Sequence, residues 1–107
     1  MSLEPERRKR ALKNIVKALE LLQELRTKWV PMADTASIAK ALEPVEESLA
    51  GIRKLLAVPT DDHMGKCIEP LDRAITTMRV IKRDELKPII KLAQSAYDDV
   101  FAPAASE

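Results

Sequence analysis

The stretch Ile38-Ala39-Lys40-Ala41-Leu42-Glu43-Pro44-Val45-Glu46-Glu47-Ser48-Leu49-Ala50-Gly51-Ile52-Arg53-Lys54-Leu55-Leu56 decides the fold. Ile38, Leu42, Val45, Leu49, Ile52 and Leu56 alternate by four and three, the signature of one apolar face of an α-helix. That face passes through Pro44 without losing phase. The words Leu42-Glu43-Pro44-Val45, Ile68-Glu69-Pro70-Leu71 and Leu86-Lys87-Pro88-Ile89 resemble one another. The first two continue to match as Leu49/Ile75, Ile52/Met78 and Arg53/Arg79 at a constant offset of 26 residues, so two related helical units are expected.

Three further stripes flank this one. Upstream, Leu12, Ile15, Val16, Leu19, Leu22, Leu25 and Trp29 follow Pro5, a residue suited to an opening helical turn, and Pro31 ends the run. Downstream, Met64, Ile68, Leu71, Ile75 and Met78 form the third stripe. Continuing it would bury Lys82 and Glu85, so a turn is expected at Lys82-Arg83-Asp84. A fourth helix then carries Leu86, Ile89, Ile90, Ala93, Tyr97 and Val100. Asp34 or Thr35, Thr60 or Asp61, and Asp84 are the expected caps. The reading is a single all-α domain over residues 1–107, an up-down-up-down four-helix bundle with proline-kinked helices at about 5–29, 35–57, 61–82 and 85–101. Without the turn near residue 83, it becomes a three-helix bundle with a long bent C-terminal helix. The tail from Ala102 is expected to fray.

On a helical wheel Pro44 and Pro70 lie about 130° from the centre of the buried face, so both are expected as solvent-side kinks. Replacing either with alanine would then be neutral or stabilising, by restoring a backbone hydrogen bond.

Composition agrees with a helical domain. Of 107 residues, 46% are apolar and 33% charged, with two glycines and three aromatics, and no run alternates as a strand would. No apolar run approaches the ~18 residues of a membrane span. The single Cys67 cannot form an internal disulfide and suits a reducing compartment, so a cytoplasmic location is expected.

The conspicuous charge feature is Arg7-Arg8-Lys9-Arg10, with Lys13 and Lys17 beyond. Such a patch can bind nucleic acid or an acidic partner. It also opposes the helix dipole, and Asp98 and Asp99 near the end of the fourth helix make the reverse error. In the expected topology those ends meet, with Asp61-Asp62 nearby, so mutual neutralisation accounts for both. Residues 1–30 hold eight basic and four acidic groups, and residues 31–72 hold four and eight, within a net charge of +1. Nucleic acid is therefore the alternative partner, not the first.

His63 invites two chemical readings. His63 and Lys66 have a spacing similar to that of histidine phosphotransfer domains, which are four-helix bundles of about this size. Cys67 stands where those domains typically carry glycine, and His63 follows its cap more closely than theirs. His63 and Cys67, one turn apart, could share an ion with Asp61 or Asp62, but a closed site needs about four ligands and no other His or Cys exists. A surface histidine and a half-buried thiol are the expectation, with no metal and no cofactor. No Glu-x-x-His pair, glycine-rich loop or serine beside a histidine suggests an enzyme. What remains is a non-enzymatic bundle acting as a protein-interaction or self-association module. The first helix supports this, because Leu19, Leu21, Leu22 and Leu25 spread over nearly half of its wheel.

Overall fold

The computed structural model describes residues 4–58 and 65–106, with side chains from 5 to 58 and from 65 to 101. The chain is all-α, and no strand occurs among the described residues. Helix α1 spans Glu4–Trp29. It opens on Glu4, Pro5 and Glu6, which suit a helix N-terminus, and closes with Arg26 and Lys28 in its last turn. Pro31 cannot donate to a helical carbonyl, so the chain turns, with the Met32 amide on the Trp29 carbonyl at 3.1 Å.

The second stripe is two helices, not one kinked helix. Helix α2 spans Ala36–Ala41 and helix α3 spans Glu43–Ala57, with Leu42 between them at φ −86° and ψ −5°. The Leu42 amide is shared between the carbonyls of Ile38 (3.0 Å) and Ala39 (3.2 Å), a tightened last turn. Pro44 thus sits in the first turn of α3, where an amide hydrogen would lack a helical partner anyway. The same device recurs at Cys67, which precedes helix α4 (Ile68–Ile81) and places Pro70 third in it. All three repeated prolines open helices rather than kink them, and Pro44 and Pro88 are exposed while Pro70 is half-buried. Pro44→Ala therefore restores no helical bond and loosens the unfolded chain. Its urea midpoint should correspond to a change within about 1 kcal/mol, on the destabilising side.

Two caps differ from expectation. Thr35 does precede α2, but its buried hydroxyl makes no cap and donates instead to the Trp29 carbonyl at 3.1 Å. The turn after α4 is present, with Lys82 left-handed at φ 60° and ψ 46°, which excludes the long bent C-terminal helix. Asp84 does not cap the last helix. A 3-10 turn, Asp84–Leu86, leads into helix α5 (Lys87–Ser106), and the Asp84 carboxylate lies 3.2 Å from Lys87 Nζ. Helix α5 runs through Ala102 to Ser106, past the expected end near residue 101. The expected Thr60 or Asp61 cap lies outside the described residues.

Helix α1 packs most extensively on α5 and next on α3, while α3 meets α4 and α4 meets α5, so the four long helices close a ring. The particle measures 51 × 22 × 18 Å. Its core combines Ile15, Leu19, Leu22 and Trp29 of α1, and Leu42, with Val45, Leu49, Ile52 and Leu56 of α3. Leu71, Ile75 and Met78 of α4, Leu86, and Ile89, Ala93 and Val100 of α5 complete it.

Candidate interaction surface

At the basic end, Arg10 Nη2 donates to Asp99 Oδ1 at 2.9 Å. The bond, and then the Asp99 charge, hold the Arg10 guanidinium above its ordinary pKa. Asp98 is engaged differently, accepting from Gln94 Nε2 at 3.3 Å. The expected neutralisation therefore runs through Asp99, and Asp61 and Asp62 lie outside the described residues. Arg7 and Arg8 are half-buried, whereas Lys9, Lys13 and Lys17 are exposed along the solvent face of α1. Because the Arg10–Asp99 pair is exposed on the arginine side, it should respond to screening. Asp99→Lys should lower the melting temperature at low salt, with much of the loss recovered on adding salt. Asp98→Lys should do less. Thermal melts at two ionic strengths check both.

His63 also lies outside the described residues, so its phosphotransfer and metal readings are not placed. Lys66 is exposed, and next to it Cys67 is fully buried rather than half-buried. Burial pushes the Cys67 thiol up from its ordinary 9.0 to about 11. At neutral pH it is a protonated core group, not a nucleophile. Its folded pKa is raised, so its contribution is complete below pH 9.0 and is lost as pH rises to about 11. Urea midpoints should fall across that window in the wild type and less in Cys67→Ala. Among the described residues, no three His, Cys, Asp or Glu side chains gather as a metal site would need.

The opposite end is organised by side chains that periodicity does not reveal. Arg26 Nε donates to the Ala39 carbonyl at 2.8 Å, just before the Leu42 break. Its Nη1 donates to the Glu46 carboxylate, which also accepts from Gln23 Nε2 at 3.1 Å. This network fastens α1 to both halves of the broken helix. Trp29 is buried, and the Arg83 guanidinium carbon stands 5.0 Å from its ring centroid. Arg83 Nη2 reaches Glu85 at 3.3 Å. The Glu85 carboxyl lies below its usual range, held first by a backbone hydrogen bond and then by Arg83.

The wide apolar face of α1 is shared between its neighbours. Leu19 and Leu22 are buried, but Leu21 and Leu25 are only half-buried. With Pro88 and Ile89 they line an open groove of about 240 Å³ between α1 and α5, rimmed by Glu24, Lys28 and Glu85. Val30, Met32, Val58, Val80 and Phe101 are exposed elsewhere, with Phe101 stacked on Tyr97 at 5.6 Å between centroids. No described helix is long and apolar enough to cross a membrane. The groove offers apolar contact ringed by charge. Compared with protein-family models, with curated proteins and with solved structures, the chain has no significant match.

Proposed function

We propose that this chain is a non-enzymatic helical bundle of the cytoplasm that acts as a protein-interaction or self-association module, without metal or cofactor. The carrying observation is the α1–α5 groove, where Leu21 and Leu25 stay half-buried beside exposed Pro88 although the core next to them is filled. Apolar surface of this kind favours a protein partner or a second copy. Light scattering with 260 nm absorbance on the same peak tests the reading. A mass above the 12.0 kDa monomer without excess nucleic-acid absorbance is expected. A monomer carrying nucleic acid would overturn it.

The second reading, nucleic-acid binding by the basic start of α1, has one observation in its favour: Lys9 and Lys13 are exposed and form no ion pair with any described residue. It requires submicromolar binding at about 150 mM salt that falls steeply with salt and disappears when Arg7, Arg8 and Arg10 become Glu. Against it stands Arg10, already committed to Asp99.

A further inference from the structure

Helix α2 has little of its own to hold it folded. Its six residues are far fewer than the ~12–15 that a helix needs to persist alone. Of these only Ala39 is fully buried, against Val45, Leu49, Ile52 and Leu56 in α3. No helical hydrogen bond crosses from α2 into α3. The ladder stops at Leu42, whose amide closes α2 on Ile38 and whose carbonyl accepts the Glu46 amide at 3.0 Å. Pro44 contributes to the gap, since it has no amide hydrogen to offer the Lys40 carbonyl. The hydrogen bonds of α2 can therefore break while those of α3 stay intact.

The anchors on either side are firmer than what lies between them. Trp29 is 3% exposed and Leu42 is fully buried, whereas residues 30–34 are all exposed. Helix α2 itself packs on α1 and, less extensively, on α3. Two side-chain bonds tie this segment to α1. The Thr35 hydroxyl donates to the Trp29 carbonyl at 3.1 Å, and Arg26 Nε donates to the Ala39 carbonyl at 2.8 Å. The arginine bond is the shorter and is charge-assisted, the stronger kind. Arg26 also holds Glu46 of α3 through Nη1. That second bond joins α1 to α3 and is kept when α2 lets go.

We propose that α2 is a flap that melts between Trp29 and Leu42 while the four long helices stay folded, and that Arg26 is its latch. Opening uncovers the part of α1 beneath α2 and releases the Ala39 carbonyl. Glu46 keeps the guanidinium where α2 left it, so the flap recloses on the same partner. The device is independent of what the α1–α5 groove binds.

Amide hydrogen exchange followed by NMR across a low-urea series tests it. The Ala36, Ala39 and Leu42 amides report on α2, and those of Ile52 and Ala93 report on the bundle. In the wild type the α2 amides should be protected, yet exchange at least ~100-fold faster than the bundle amides after correction for intrinsic rates. Their rates should hardly depend on urea, because a local opening exposes little surface. Arg26→Ala should speed them at least ~10-fold further, the equivalent of one lost charge-assisted bond. Glu46→Ala should speed the bundle amides but leave the α2 amides within ~2-fold of wild type, because the Ala39 bond survives. Amides of α2 that match the bundle in rate and urea slope would overturn the flap. Unprotected α2 amides, or equal acceleration by the two substitutions, would overturn Arg26 as its latch.

Discussion

Trp29→Ala should cost about 3–5 kcal/mol, the usual range for emptying a large aromatic from a packed core. Trp29 is only 3% exposed and closes the end of the bundle. Its loss opens a cavity beneath the turn after α4 and strips the Arg83 guanidinium of the ring it stands over. Arg83 Nε is already buried without a hydrogen-bond partner, so the arginine cannot relax into the gap without cost. Against the ~5–15 kcal/mol stability of a typical domain, the loss is a large fraction. Urea unfolding followed by circular dichroism measures it, since the variant lacks the chain's single tryptophan. Trp29→Phe should keep most of the packing and lose less than half as much. A loss below ~1 kcal/mol for the alanine variant would show that Trp29 is not part of the core.

Arg26→Ala should cost about 2–3 kcal/mol, more than an exposed ion pair is worth. The side chains of Arg26 and Glu46 are 20% and 24% exposed, so water screens them incompletely. The change removes a bond to the Ala39 carbonyl and leaves the Glu46 carboxylate with Gln23 alone. Arg26→Lys should recover less than half of the loss, because one ammonium cannot reproduce the two directions of the guanidinium. Glu46→Ala should cost less than Arg26→Ala, since the Ala39 bond survives. A double-mutant cycle on urea midpoints should show coupling of at least ~1 kcal/mol between the two sites. Added salt should change these losses little, in contrast to Asp99→Lys. Additive single losses would mean that Arg26 acts on Ala39 alone.

The core was largely legible because its branched residues repeat with the helix. Leu42, Val45, Leu49, Ile52 and Leu56 are all buried, as the four-three pattern requires, and so are Leu71, Ile75 and Met78. The small core residues were not. Ala11, Ala18, Ala39, Ala74 and Ala96 are buried, yet alanine favours any helical position and so marks no face. The turn at Lys82 could be read from lost phase. The Leu42 break could not, because a first-turn proline and a kinking proline preserve the same periodicity. Asp99 was identifiable as a partner by its opposition to the helix dipole. Arg26 carried no such sign, since its work on a backbone carbonyl depends on where α2 ends. The groove followed only in outline, from the width of the apolar face of α1.

The most extensive helix pairing joins the first helix to the last, and the Arg10–Asp99 pair spans 89 positions of chain. During synthesis, α1 through α4 must emerge before α5 can cover the exposed side of α1. Until then Ile15, Leu19 and Leu22 lack part of their final shelter, and a nascent chain presents them to chaperones or to other chains. Contacts so distant in sequence also slow folding, because the loop must close before they form. Early termination anywhere before α5 thus removes the largest partner of α1, and such fragments should aggregate rather than fold as smaller bundles.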